Sequence, residues 1–332
     1  MDPSILAILP PSLRGIVGNL PEEAAALLEE IRIREIRPLE VVLRGTSRFV
    51  SPQGRLVAEA AQAYRPTRED CRKLLELLTN YSVYSFDEQL RSGYITVPGG
   101  HRVGLAGRIV MEDNRVKLFK EVAGFNVRVA RQVLGAGQAV LPHLLEPGTR
   151  LPYHTLIISP PRQGKTTLIR DLARLISCGG PAPNGAGAAQ RGLKVGIVDE
   201  RSEIAACEKG VPRFDLGPRT DVLDGCPKAV GMMMMIRSMS PDVLIADEIG
   251  RPEDAEAIRE ALHAGVRVIA TAHGADLADV RQRPILRELI RDAVFSRYVV
   301  LGGERGAGTL KAICDGRGEP IRLGEWAGTG SP

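Results

Sequence analysis

Residues 155–168 read Thr155-Leu156-Ile157-Ile158-Ser159-Pro160-Pro161-Arg162-Gln163-Gly164-Lys165-Thr166-Thr167-Leu168. A short apolar strand, a tight loop and a helix start follow one another, which is the context a phosphate-binding P-loop requires. Such a loop aims backbone N–H groups at an anion from a helix N-terminus, where the helix dipole also favours negative charge. The stretch therefore predicts an ATP cradle made by Ser159, Pro160, Pro161, Arg162, Gln163, Gly164, Lys165, Thr166 and Thr167. Lys165 is expected to be an exposed charge that reaches the β- and γ-phosphates, and Thr166 to hold Mg²⁺. Ser159 stands where such loops usually carry their first glycine, so φ must be negative there. Pro160 and Pro161 have no N–H to donate. The cradle then rests on the amides of residues 163–167.

Three apolar runs downstream end in polar groups, and a parallel sheet would gather those ends at one edge. Val243-Leu-Ile-Ala-Asp247-Glu248 supplies a second metal ligand in Asp247 and a general base in Glu248. Val195-Gly-Ile-Val-Asp199-Glu200-Arg201-Ser-Glu203 ends in acids that would contact the attacking water, the metal or the γ-phosphate, or else pair with Arg201; Glu200 is taken as a catalytic candidate. Val266–Gly274 ends in Thr271-Ala-His273, and His273 is read as a γ-phosphate sensor rather than a structural imidazole. Met232–Met235 and Met239 are read as core packing.

Working outward, strand–helix alternation begins after the Pro- and Gly-rich stretch 142–152. The predicted fold class is α/β, a P-loop NTPase domain with a parallel sheet over 151–332, preceded by a smaller α+β domain over 1–150. In that first domain a helix is expected over Glu22–Glu35, another over Thr67–Leu78, and antiparallel strands between 93 and 130. A mobile loop is expected over Cys178–Gly192, and a terminal hairpin joining Tyr298–Leu301 to Thr309–Ile313.

Aromatic residues make up 4% of the chain and the net charge is +4. Both argue against a dedicated single-strand nucleic-acid binder, which stacks bases on aromatic platforms in a basic groove. No apolar run approaches the ~18 residues that cross a bilayer, and no leader segment is read at the N-terminus. Five scattered cysteines without CxxC pairs suit reduced thiols in a cytoplasmic protein. The P-loop offers only Arg162 as a charge stabiliser for phosphoryl transfer. An arginine from the first domain of a neighbouring subunit, among Arg91, Arg102, Arg108, Arg128 and Arg131, is therefore expected to complete the site in a ring.

Ser-Pro-Pro-x-x-Gly-Lys-Thr-Thr at 159–167, Val-Asp-Glu-Arg-Ser-Glu-Ile-Ala at 198–205 and Arg-Thr-Asp-Val-Leu-Asp at 219–224 resemble the stage III sporulation protein AA family. So do Met-Ile-Arg-Ser-Met-Ser-Pro-Asp at 235–242, Asp-Glu-Ile-Gly-Arg at 247–251, and Ala-Leu-His-Ala-Gly with Thr-Ala-His-Gly within 261–274. Tyr84-Ser-Phe-Asp-Glu and Pro98-Gly-Gly-His-Arg-Val-Gly-Leu-Ala-Gly match as well. The family is similar to the traffic ATPases of type II and type IV secretion, which are RecA-like and usually hexameric. The resemblance implies an acidic box at Asp199–Glu203, a Walker B motif at Asp247-Glu248 and a His box at His273. It also implies a cytoplasmic protein at the inner membrane of the mother cell, working on a membrane sporulation complex, with ATP and Mg²⁺ as cofactors and no stable nucleic-acid partner. The alternative reading is a nucleic-acid-binding RecA-like ATPase.

Overall fold

The computed structural model describes residues 1–80, 90–91, 93–112, 115–149, 151–180, 190–303 and 308–321. Tyr84–Glu88, most of the expected mobile loop and residues 113–114 lie outside them. Two compact units form: Met1–Arg131 with Ala206–Arg213, and Gln132–Ala205 with Phe214–Pro332.

The expected boundary at 150–151 falls inside the second unit. Residues 132–149 belong there because their polar groups are spent there. The Gly137 amide donates to the Asp171 carboxylate at 2.7 Å, Gln132 donates to the Asp215 carbonyl at 2.7 Å, and Leu145 bridges to Pro152. The Pro- and Gly-rich stretch is thus a turn within a unit and not a linker between units.

The first unit is built on a seven-stranded sheet. Its strands are β1 (Leu28–Arg34), β2 (Glu40–Leu43), β3 (Thr46–Val50), β4 (Leu56–Val57), β5 (Tyr94–Val97), β6 (His101–Glu112) and β7 (Arg115–Arg128). They lie in the order β4-β3-β2-β1-β7-β6-β5. All pairings are antiparallel. The helix expected over Glu22–Glu35 stops at Leu27, and the remainder is β1. Leu28, Ile31 and Ile33 are each almost wholly buried in this strand between β2 and β7, so tertiary pairing overrides the helical composition. The helix Arg68–Leu78 starts as expected: Thr67 and Asp70 form a reciprocal capping box, a device worth about 1 kcal/mol.

The second unit carries β8 (Thr155–Ser159), a two-residue pair β9 (Gly179–Gly180) and β10 (Gln190–Arg191), then β11 (Val195–Asp199), β12 (Thr220–Asp224), β13 (Val243–Ala246), β14 (Arg267–His273), β15 (Arg297–Gly302) and β16 (Thr309–Asp315). The main sheet runs β12-β11-β13-β14-β8-β15-β16. Every pairing is parallel except the terminal hairpin β15–β16. Strands β8, β11 and β13 are buried at every residue, as continuous apolar runs must be when both faces of a parallel sheet are covered. Parallel register then brings their C-terminal ends together: Ser159 lies beside His273, and Val198 beside Ala246. Met232 and Met235 enter this core from the helix Lys228–Ser238, whereas Met234 and Met239 are exposed. Among the described residues, no helix is long and apolar enough to cross a membrane.

Candidate active site

The loop between β8 and the helix Lys165–Cys178 turns through two left-handed residues, Arg162 at φ 62° and Gly164 at φ 84°. Gly164 takes that region freely, while a non-glycine residue there is held at a cost of order 1 kcal/mol or more. Ser159 keeps a negative φ, so the missing first glycine is harmless. Gln163 is fixed from the other side: its carbonyl accepts from the Gly308 amide at 3.0 Å. A Cβ on Gly303 would stand 2.3 Å from the Gln163 side chain, so the terminal hairpin packs directly on the loop.

Lys165 departs from expectation. It is buried, with 6% of its surface exposed, because its ammonium folds back over the loop. It donates to the carbonyls of Ser159 at 3.0 Å and Pro160 at 3.1 Å, and to His273 Nδ1 at 2.9 Å. Burial lowers its pKa, against the pull of Asp247 and Glu248. An ammonium only donates, so Nδ1 of His273 is the acceptor and Nε2 carries the proton. That Nε2 lies 3.1 Å from Glu248 Oε1, and Glu248 Oε2 is 3.1 Å from Arg201 Nη1. A continuous polar chain therefore runs Lys165–His273–Glu248–Arg201.

The structure brings together Thr166 and Asp247, the two residues read as metal ligands. Thr166 Oγ1 donates to Asp247 Oδ2 at 2.9 Å. These are hard oxygen donors of the kind Mg²⁺ takes, and Mg²⁺ typically uses one or two protein oxygens beside phosphate. The other oxygen of Asp247 accepts from Thr271.

Asp199, Glu200, Arg201, Glu203, Lys228, Asp247 and Glu248 line one cleft at this sheet edge, five carboxylates and two basic groups. Glu200 pairs with the largely buried Lys228, and Arg201 reaches across to Glu248. Asp199 faces its own loop: it accepts from the amides of Glu203, Ile204 and Ala205 at 2.9, 2.9 and 2.8 Å. Burial pushes its carboxyl up to about 6 even so. Arg170 grips the same loop through the carbonyls of Ile204 and Glu203, both at 2.6 Å, and stacks 4.2 Å over the Phe214 ring. The chain is thus pinned at Ala205 and at Phe214, the two stems of the excursion 206–213.

Arg201 also alters the case for a borrowed arginine. A guanidinium of this chain stands against Glu248. Sequence reasoning missed Thr271, Arg170 and Lys228 as site-building residues. The available signal was polarity inside otherwise apolar elements: Thr271 in Val-Ile-Ala-Thr-Ala, and Arg170 in Leu-Ile-Arg-Asp-Leu.

The family model "Sporulation stage III, protein AA" matches residues 2–321. Stage III sporulation protein AA of Bacillus subtilis (strain 168) is 47% identical over 317 residues, 96% of each chain. Among solved structures, the ATPase DotB of Yersinia pseudotuberculosis superposes with a TM-score of 0.51 at 14% identity, covering 83% of this chain and 71% of its own. The pilus retraction motor PilT with bound ADP gives 0.50 at 14%, covering 84% and 76%. At such identities the likeness speaks to fold alone: the parallel sheet with its flanking helices is the RecA-like α/β fold that these structures share.

Proposed function

The chain belongs to the stage III sporulation protein AA family, and on that premise we propose that it is a Mg²⁺-dependent ATPase whose turnover drives a membrane-associated channel or assembly during endospore formation. The observation that carries the reading is the meeting of Thr166 Oγ1 with Asp247 Oδ2 at 2.9 Å, beside a Glu248 joined through His273 to Lys165.

In this mechanism Lys165 leaves the Ser159 and Pro160 carbonyls for the β- and γ-phosphates of ATP. Amides of residues 163–167 hold the phosphate chain at the helix N-terminus. Thr166 and Asp247 would hold Mg²⁺, which would neutralise charge on the phosphate oxygens when bound. Glu248 accepts the proton of the attacking water. Arg201 is close enough to Glu248 to turn to the γ-phosphate when charge develops there. Glu200, neutralised by Lys228, helps fix the cleft wall. The working form is a homo-oligomeric ring, by family resemblance a hexamer, acting in the cytoplasm against the mother-cell inner membrane. No stable nucleic-acid partner is proposed.

The test is phosphate release by the purified chain, measured against Mg²⁺ and protein concentration together with particle mass. Mg²⁺-dependent release whose per-subunit rate climbs as multimers form is expected. Absence of nucleotide binding under any condition would overturn the ATPase, and concentration-independent turnover at monomer mass would overturn the ring.

His273 supports a narrower expectation. Lys165 keeps two carbonyl acceptors without it, whereas Glu248 loses the group that ties it to the P-loop. His273→Ala should lower kcat by roughly 10- to 100-fold with ATP affinity changed less than about threefold. An earlier melting transition with unchanged specific activity would show His273 to be only a structural link.

A further inference from the structure

We infer that Thr271 is a positioning residue for the proposed hydrolysis, its one hydroxyl setting both the carboxylate of Asp247 and the backbone of Glu248. The inference rests on the ATPase reading above.

Thr271 is wholly buried on β14, one residue past the point where Ala270 lies beside Ala246 of β13. A hydroxyl offers one proton and two lone pairs. Thr271 Oγ1 gives its proton to Asp247 Oδ1 and accepts the Glu248 amide at 2.8 Å. The Thr271 carbonyl also accepts from Ile249 at 2.8 Å. Two successive amides after β13 are therefore tied to one residue of β14.

That tie bears on conformation. Glu248 sits at φ 48°, a left-handed geometry uncommon for a residue other than glycine. Such a backbone persists only where its surroundings over-determine it. Here the over-determination is the pair of bonds from Thr271. The same hydroxyl occupies Oδ1 of Asp247 and leaves Oδ2 to Thr166, at 2.9 Å. One side chain thus divides the Asp247 carboxylate between a strand neighbour and the site, and aims Glu248 out of the strand. Thr271 touches neither nucleotide nor water in this scheme, so it acts through the two acids.

The test compares Thr271→Ser, Thr271→Ala and Thr271→Val with the parent chain. Serine keeps the hydroxyl, alanine differs from serine by that hydroxyl alone, and valine keeps the branched shape without it. Three readouts are taken: single-turnover ATP hydrolysis, ATP affinity, and the Mg²⁺ concentration giving half-maximal rate, with thermal melting as the fold control. Alanine and valine variants should lose roughly 30-fold or more in rate while ATP affinity moves less than about threefold. Their Mg²⁺ requirement should rise several-fold, and serine should keep most of the parent rate. If valine prevents folding, the serine–alanine pair decides alone. Equal rates and equal Mg²⁺ curves for serine and alanine, or variants that merely melt earlier, overturn the inference while leaving the ATPase reading intact. A parent chain that binds no ATP overturns both.

Discussion

Lys165→Ala should abolish ATP binding at concentrations that saturate the parent chain, and it should do so without unfolding the protein. Lys165 is buried and its hydrogen-bond partners are two carbonyls and an imidazole. Burial lowers its pKa, so the ammonium is held in a place that disfavours its charge. Triphosphate relieves that penalty: each charge-assisted bond contributes about 1.5–3 kcal/mol. Losing two such bonds amounts to about 3–6 kcal/mol, a hundredfold or more in affinity. The fold loses less. Alanine leaves the Ser159 and Pro160 carbonyls without a donor but also removes a desolvated charge, and those changes oppose one another. Calorimetric titration with ATP beside a melting curve checks both halves. Parent-like affinity would mean that the anion sits elsewhere, and a collapsed melting transition would mean that Lys165 serves chiefly as a structural clamp.

How far the sequence reached depends on what each residue's role required. The P-loop and three strand ends were legible because the signal is local: an apolar run, a polar terminus, a glycine and a lysine at set spacing. Asp247 and Thr166 then met because parallel register leaves few places for a strand end. Glu22–Glu35 misled for the converse reason. Its helical composition is local, whereas β1 is dictated by β2 and by β7, whose partner residues lie about ninety or more positions further along the chain. Lys165's burial was hidden as well, since no sequence pattern says that a loop's own carbonyls will capture its lysine. Arg201 was legible as an ion-pair partner but paired elsewhere: it reaches Glu248, which lies 47 positions away, and not the acids of its own segment. Thr271 was legible only as part of a polar strand end, without a role, because its two partners, Asp247 and Glu248, follow the distant strand β13.

These long-range ties also show why the strand ends act as one unit. Thr271 holds Asp247 and Glu248, His273 holds Lys165 and stands against Glu248, and both residues belong to β14. A shift of β14 by even a fraction of a residue would move the lysine and both acids together. Arg170 and Asp199 extend the linkage to the loop 203–205 at the end of β11.

Glu248→Gln should give a chain that binds Mg-ATP and barely turns it over. Glutamine matches glutamate in shape and can still accept a hydrogen bond from His273 Nε2 through its amide oxygen. It cannot take a proton from water, and general-base catalysis contributes typically 10²–10⁴-fold. The rate should fall by roughly that factor. Stability should hardly change, because the Arg201–Glu248 pair has side chains 52% and 38% exposed, and exposed pairs contribute little. ATP affinity should hold or rise, since one negative charge leaves the neighbourhood of the phosphates. Asp247→Asn should behave differently. Its carboxylate meets Thr166, so its loss should raise the Mg²⁺ requirement for binding before it lowers the rate of the fully loaded enzyme. Single-turnover assays across a Mg²⁺ titration separate the two variants: excess Mg²⁺ should restore much of the Asp247→Asn rate and none of the Glu248→Gln rate. Superimposable titrations for the two would mean that the carboxylates share one role and that Glu248 is not the base.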